Sequence, residues 1–156
     1  MNPDTPTPVA EIEGYVQVTP NNYTELMNAV AQVGPISIVL DASTFSTYES
    51  GIFDGCDPDN IELDHAVQLV GYGENENGEK YWIVRNSWSP AWGKNGYIHV
   101  KRTDNDDNVC DNTMNAGRCK GDPFKTEACG TCGIMYSPSY PVGAKLFEWD
   151  KPDPQP

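Results

Sequence analysis

The sequence predicts an α+β fold in which one short helix accompanies a mostly antiparallel, barrel-like set of β-strands. Two observations support this prediction. Residues 20–35 have the apolar periodicity of a helix, and several later segments are short, rich in β-branched and aromatic residues, and separated by turn-forming residues. A length of 156 residues and a mass of 17.2 kDa fit one ordinary domain or one half of a larger enzyme.

The helix is predicted within the segment PNNYTELMNAVAQVGP. Asn22 can cap its first turn, with Glu25 following three residues later, and the Gly-Pro pair at 34–35 can end it. Spacings of three and four residues then place four apolar side chains on one face: Leu26, Ala29, Val30 and Val33.

Five segments have the composition of strands. They are ISIVLDA (36–42), AVQLVGYG (66–73), KYWIVRNSW (80–88), GYIHVKR (96–102) and GIMYS (133–137). Turn-forming residues at 74–78 and 89–96 separate three of them, which is typical of neighbouring antiparallel strands.

The domain organisation follows from composition. Residues 1–8 are rich in proline and threonine and are predicted to be a disordered start or a linker. We expect residues 9–147 to form the folded domain and residues 148–156 to form a flexible proline-rich tail. Within the domain, residues 103–131 are polar and lack an apolar period, so we expect a long loop stapled by cysteines.

Five cysteines are present, and four of them lie close together after residue 100: Cys110, Cys119, Cys129 and Cys132. This crowding is more typical of an oxidised secretory protein than of buried thiols. The odd number leaves at least one thiol without a partner within the chain.

Charge and hydropathy disfavour two classes of partner. The net charge is −13, with only 10 lysines and arginines, so binding to a nucleic-acid backbone is not expected. No apolar run approaches the ~20 residues that a membrane helix needs, so we expect no membrane partner. The first residues also lack the basic and apolar regions of a signal peptide.

Only two histidines can serve as a general base near neutral pH. His99 alternates with apolar residues in a predicted strand and is expected to face solvent or to be satisfied locally. His65 instead opens a strand after a turn, where a rigid sheet can present a side chain at a cleft. Asn86 can orient it, its amide oxygen accepting the Nδ1 proton while Nε2 faces a nucleophile; the alternative is an asparagine that merely caps a turn.

Two stretches, LDHAVQLVGYG and YWIVRNSWSPAWGKNGYIHV, resemble the histidine and asparagine motifs of the papain-like cysteine peptidases. The preceding segment, with AVAQVGPISIVLDAS and FSTYESGIFDGC, and the closing CGIMYSPSYPV are similar to the same family, so the resemblance covers about residues 9–142. It implies the β-rich C-terminal half of such an enzyme, without its helical N-terminal half.

The resemblance implies roles for individual residues. His65 would be the base, and Asn86 would orient it. Trp88 would lie over that pair, and Asp64 would lie beside the base and contribute little. Trp92 would line the leaving-group side of the cleft. The pocket for the second residue on the acyl side of the scissile bond would be lined by Val39, Ala66 and Ser137.

For the cysteines, the resemblance implies a Cys56–Cys132 disulfide. We further expect Cys119 to pair with Cys129, which leaves Cys110 free or paired with a cysteine of the absent half. A Cys129-x-x-Cys132 zinc site is a weaker alternative, since Cys110 and Cys119 are too widely separated to form the second ligand pair.

The family places its nucleophilic cysteine in an N-terminal stretch similar to Q-G-x-C-G-S-C-W, and no such stretch occurs among these 156 residues. We therefore expect a fragment of a cysteine endopeptidase, inactive alone, whose partners are a peptide or protein substrate and the absent N-terminal half. No cofactor or metal is expected. The alternative is a non-catalytic relative that binds a peptide or partner. By resemblance the compartment is a lysosome, another acidic vacuole, or the exterior.

Two further patterns remain open or weak. The acidic run DNDDN at 104–108 suggests a calcium loop, but Val109 replaces the glycine that such a loop requires, so a solvated acidic turn is the preferred interpretation. Asn22-Tyr-Thr is an acceptor pattern for N-glycosylation, and the same asparagine is the predicted helix cap. The sequence leaves that choice undecided.

Overall fold

A computed structural model describes residues 9–104, 106–112 and 127–146. These residues form one α-helix, α1 (Tyr23–Gln32), three short 3-10 turns, and eleven strands. The strands are β1 (Ala10–Glu11), β2 (Gly14–Gln17), β3 (Ile36–Leu40), β4 (Ile52–Phe53), β5 (His65–Glu74), β6 (Lys80–Arg85), β7 (Tyr97–Lys101), β8 (Cys110–Asp111), β9 (Ala128–Cys129), β10 (Ser139–Val142) and β11 (Lys145–Leu146).

Seven strands form the main sheet, in the order β2-β10-β3-β5-β6-β7-β4. All neighbours are antiparallel except β4 and β7, which run parallel. The sheet is open, because its two edge strands β2 and β4 do not pair with each other. The predicted fold class, one helix with a mostly antiparallel sheet, is confirmed, although the barrel does not close.

The helix begins and ends where the sequence predicts. Asn22 is the N-cap, and its side-chain oxygen accepts a hydrogen bond from the Glu25 backbone N–H at 2.9 Å. Leu26 and Val30 are buried against the sheet. Val33 differs from the prediction, since it lies at the C-cap and is 51% exposed, so the buried face of α1 ends one turn earlier.

Alternation along the central strands sorts side chains between two faces of the sheet. In β3, Ile36, Ile38 and Leu40 are buried, whereas Ser37 is exposed and Val39 half-buried. The buried face packs with α1 and with Trp82, Val84, Ile98 and Val100 in a single core cluster. The other face of β3 and β5 is the one that bears Val39 and Ala66.

The predicted strand at 133–137 is wrong. Thr131–Gly133 form a 3-10 turn, and the strand begins only at Ser139. Two consecutive residues have left-handed backbone, Cys132 with φ 60° and Gly133 with φ 70°, which is incompatible with an extended chain. The apolar character of the segment reflects complete burial instead, since Ile134 and Met135 are both fully buried.

The cysteine pairing is partly as expected. The Cys56–Cys132 disulfide is present, and it joins the loop after β4 to the turn before β10. The expected Cys119–Cys129 pairing is wrong, because Cys129 bonds Cys110. The reason lies in the backbone: β8 and β9 are antiparallel, and their register sets Cys110 directly opposite Cys129. Cys119 lies outside the described residues.

Candidate active site

His65 is the first residue of β5, and its neighbour Asp64 fixes the start of that strand. The Asp64 backbone N–H donates to the Leu40 carbonyl at 3.3 Å, and its side-chain Oδ1 accepts from the Ala42 backbone N–H at 2.9 Å. Asp64 therefore clamps the end of β3 to the start of β5, at the register position where Leu40 lies opposite His65. Its contacts are with backbone groups, a role that the sequence alone did not indicate.

Asn86 follows directly after β6 and is almost fully buried, with 9% exposure. Its backbone N–H donates to the Gly96 carbonyl at 2.9 Å, which ties it to the turn before β7. Its side-chain Oδ1 accepts from the Ser87 backbone N–H at 2.7 Å and also lies 2.9 Å from His65 Nε2. Asn86 is thus held by three hydrogen bonds, one of which reaches the histidine.

The hydrogen bond between His65 and Asn86 involves Nε2 of the histidine ring, whereas the sequence predicts Nδ1. Strand register gives the reason. Gln68 lies opposite Arg85, so Asn86, one residue further, is level with Val67 and diagonal to His65. Diagonal neighbours are ~7–8 Å apart, and Nε2 is the ring nitrogen farther from the backbone, so it spans that gap.

This geometry determines the protonation pattern of the ring. An amide oxygen only accepts hydrogen bonds, so Nε2 carries a hydrogen in this contact. In the neutral imidazole, Nδ1 then has a free lone pair and is the nitrogen able to take up a proton. The tautomer and ring orientation of His65 are therefore set by Asn86.

Two tryptophans surround the pair. The Trp88 ring lies over the His65 ring, with centroids 5.1 Å apart and planes inclined by 32°. Trp88 is 39% exposed, so it does not belong to the buried core. Trp92 meets Trp88 edge-on at 5.3 Å and donates from Nε1 to the Phe45 carbonyl at 3.2 Å.

Two of the three expected substrate-pocket residues come together. Val39 and Ala66 lie directly opposite each other in β3 and β5, one step along the register from the Leu40–His65 pair. Ser137 lies two residues before β10, which pairs with β3 through Ser139 and Ser37. Val39 and Ser137 are half-buried and Ala66 is exposed.

Sequence reasoning missed Asp41, which organises the chain between β3 and the histidine. This carboxylate is 3% exposed and accepts from the backbone and the hydroxyl of Ser43, both through Oδ1, and from the Glu62 backbone N–H through Oδ2. The signal was present in the pattern Asp41-Ala-Ser43, because aspartate two residues before a donor commonly forms such a turn.

The alternative metal sites are occupied by other interactions. Cys129 and Cys132 belong to two different disulfides, so their sulfurs are not zinc ligands. In the acidic run, Asp104 pairs with Lys80, and Asp106 accepts from Thr103 and Trp82. Burial raises the pKa of Asp106. Across residues 9–104, 106–112 and 127–146 there is no group of three His, Cys, Asp or Glu side chains suited to a metal ion.

No helix in the part of the chain that the structure describes is long and apolar enough to cross a bilayer.

Comparison with known proteins gives matches to cysteine proteases. The family model described as papain family cysteine protease matches residues 2–118. Human cathepsin L2 is 47% identical over 102 residues, covering 62% of this chain and 30% of the relative. Thiol protease SEN102 of Hemerocallis is 40% identical over 139 residues, covering 87% of this chain and 32% of the relative.

Solved structures agree. The bromelain protease of Ananas comosus, in complex with the E64 inhibitor, superposes with a TM-score of 0.64 at 37% identity, covering 84% of this chain and 50% of that one. The proform of the ragweed cysteine protease Amb a 11 gives a TM-score of 0.62 at 32% identity, covering 85% of this chain and 33% of that one. The chain spans about a third of the length of the curated relatives it matches. By its family match, its fold and its relatives, this chain belongs to the papain family of cysteine proteases.

Proposed function

We propose that this chain is the histidine-bearing portion of a papain-like cysteine endopeptidase, which hydrolyses peptide bonds with a thiol supplied from outside the chain. The observation that carries the proposal is the 2.9 Å contact between His65 Nε2 and Asn86 Oδ1, with Trp88 over the imidazole. A protein that only binds peptides has no chemical need for a histidine oriented in this way.

The proposed chemistry uses both nitrogens of His65. Asn86 retains the Nε2 hydrogen, so Nδ1 accepts the thiol proton and leaves a thiolate next to an imidazolium. The thiolate attacks the carbonyl carbon of the peptide bond, the C–N bond breaks, and the Nδ1 hydrogen passes to the leaving amine, which leaves a thioester. Nδ1 then takes a proton from water as the water oxygen attacks the thioester carbon, and the C–S bond breaks to release the acid and the thiolate. Trp88 limits access of water to the Nε2–Asn86 bond, which strengthens it in both protonation states.

The disulfide-bonded state of the cysteines supports a catalytic thiol from outside the described residues. All four cysteines in the described part of the chain are disulfide-bonded, so none of them offers a thiolate. Asn86 Nδ2 gives a second indication, since this buried donor has no hydrogen-bond partner within the described residues. A buried unsatisfied donor costs about 1–3 kcal/mol, a cost that an acceptor on the proposed N-terminal half would remove.

The substrate would lie along the face that bears Val39 and Ala66. These two side chains, with Ser137, offer small uncharged surface for the second residue on the acyl side of the scissile bond. Trp92 would bound the leaving-group side, since it continues the aromatic surface that begins at Trp88. A peptide or protein is therefore the proposed substrate, and the N-terminal half the proposed partner.

We place the protein in a lysosome, another acidic vacuole, or outside the cell. The two disulfides support this placement, because such bonds form and persist in oxidising compartments.

The proposal is tested by turnover in the complete enzyme. His65→Ala is expected to abolish peptide hydrolysis while leaving the fold intact, because a half-buried residue at the strand start contributes little packing. Asn86→Ala should retain part of the activity: losing a hydrogen bond to a charged group costs about 1.5–3 kcal/mol, or roughly tenfold to a hundredfold in rate. Near-normal turnover by His65→Ala would refute the assignment, and tight peptide binding by an inert wild-type enzyme would favour the non-catalytic alternative.

A further inference from the structure

The sequon Asn22-Tyr23-Thr24 lies at the start of α1. In the structure, the two predicted roles of Asn22, helix cap and glycan acceptor, involve different atoms of its side chain. The cap uses the oxygen: Oδ1 accepts from the Glu25 backbone N–H at 2.9 Å. The nitrogen that would carry a sugar is a different atom. Nδ2 donates only a long contact of 3.3 Å to Glu25 Oε1, at the protein surface.

The flanking residues leave that nitrogen accessible. Tyr23 turns inward, where its ring meets Trp82 edge-on at 5.9 Å and its hydroxyl bonds Arg102. Thr24, the residue that an acceptor sequence requires, is exposed on the first turn of the helix. A substituent on Asn22 Nδ2 would therefore extend into solvent without displacing the core.

We propose that Asn22 is an N-glycosylation site whose glycan coexists with the helix cap. In the transfer, Nδ2 loses one hydrogen and forms a bond to the anomeric carbon of an oligosaccharide, and the bond from that carbon to the phosphate of a polyprenyl-pyrophosphate donor breaks. The lipid pyrophosphate leaves, and the proton is released. The product is still an amide, so its oxygen can continue to accept from Glu25.

The position of Asn22 also keeps a glycan away from the candidate active site. Tyr23 contacts Arg102, which in turn donates to the Gly73 carbonyl at 3.3 Å. Gly73 is eight residues along β5 from His65, or about 25 Å at the rise of a strand.

The experiment expresses the 156-residue chain behind a cleavable signal sequence in a eukaryotic translation system with microsomes, and analyses the protease-protected chains. We expect one glycan per chain, removed by peptide N-glycosidase F with deamidation at Asn22. Thr24→Ala should abolish the modification although Asn22 is retained, and Thr24→Ser should preserve it.

A matched control shows that chains of this sequence reach the glycosylating enzyme. Glu79→Thr, introduced together with Thr24→Ala, places Asn77 of the exposed β5–β6 turn in a sequon, and this variant should gain one glycan. Protected wild-type chains that lack a glycan at Asn22 would overturn the proposal. A glycan found on wild type and Thr24→Ala alike would equally overturn it, because the acceptor would be another asparagine.

Discussion

At the scale of single residues, one amide sets the tautomer of His65. Asn86 Oδ1 accepts a hydrogen bond from the Ser87 backbone N–H at 2.7 Å and also lies 2.9 Å from His65 Nε2. The bond to Ser87 fixes the orientation of the amide independently of the histidine. That arrangement fixes the tautomer in which Nε2 carries the hydrogen. Asn86 is therefore held in place, and Nδ1 is the nitrogen that we propose to be the reactive one.

The second histidine has a different environment and gives a prediction about pH. His99 stacks on Tyr81 with ring centroids 4.2 Å apart, and burial, with a smaller effect of the Lys94 charge, lowers its pKa below the ordinary value of 6.5. As the pH falls below about 6.5, His99 binds a proton in the unfolded chain at a higher pH than in the folded chain, so the free energy of unfolding decreases. His99→Gln should therefore lose less stability on acidification than wild type.

Urea unfolding of the two proteins between about pH 7 and pH 5 measures this difference. The free energy of unfolding of wild type minus that of His99→Gln should decrease towards low pH. If this difference stays constant throughout that range, His99 does not contribute to the acid sensitivity of the fold.

Residue-level prediction from sequence named two residues that lie together and was weaker for their geometry. His65 and Asn86 are hydrogen-bonded, since a histidine that opens a strand and an asparagine that ends another are brought together by antiparallel pairing. Their roles as base and orienting residue stay predictions. Which nitrogen makes the bond depends on a diagonal offset in the register. Patterns of residue type do not specify that offset, and for the same reason the spacing of Cys110, Cys119 and Cys129 did not reveal their pairing.

At the scale of elements, prediction succeeded where periodicity is strong. β3, β5, β6 and β7 alternate or consist of β-branched and aromatic residues, and each lies within one residue or so of its predicted start. The pair β2 and β10 was missed because both are short and largely exposed, with Tyr15 72% exposed and Pro141 within the strand. Short, exposed strands gain their structure from pairing with their neighbours, which local sequence does not show.

The helix cap offers a direct test of local stability. Asn22→Ala removes the acceptor for the Glu25 backbone N–H, which should lower the free energy of unfolding by about 1 kcal/mol. The protein should be produced in bacteria, so that no glycan is present at this position. Asn28→Ala, at an exposed position in the middle of α1, is the control and should not destabilise, because alanine is the better helix former. Equal effects of the two substitutions would exclude a capping role.

The β3–β5 pair predicts substrate preference. Val39 and Ala66 face each other without a charged group between them, so a basic side chain would lose hydration without gaining a partner, whereas Leu, Val or Phe would gain from apolar burial. Positional peptide libraries with the complete enzyme should show this apolar preference at the second residue on the acyl side. Val39→Asp should shift it towards Arg, and a wild-type preference for Arg would contradict this placement of the pocket.

At the scale of the whole molecule, two disulfides tie distant segments to the sheet. Cys56–Cys132 joins residues 76 positions apart, and Cys110–Cys129 joins residues 19 positions apart. In the chain-entropy account, the longer loop contributes about 4.5 kcal/mol and the shorter about 3 kcal/mol. Replacing Cys56 and Cys132 by serine should therefore destabilise more than replacing Cys110 and Cys129.

Urea unfolding of the two double variants under non-reducing conditions gives the comparison, with an expected difference of about 1 kcal/mol. A larger loss from the Cys110–Cys129 pair would show that local packing around β8 and β9 outweighs loop closure.

The central proposal is that His65 serves as proton acceptor for a thiol other than the four disulfide-bonded cysteines of the described residues. The most direct measurement is the pH dependence of thiol alkylation by iodoacetamide in the complete enzyme, wild type against His65→Ala. In the wild type, the imidazolium should keep the thiol ionised and reactive well below the ordinary thiol pKa of about 8.5. In His65→Ala, alkylation should require a pH near that ordinary value. An identical alkylation profile in the two proteins would contradict the account, because the thiolate would then owe nothing to His65.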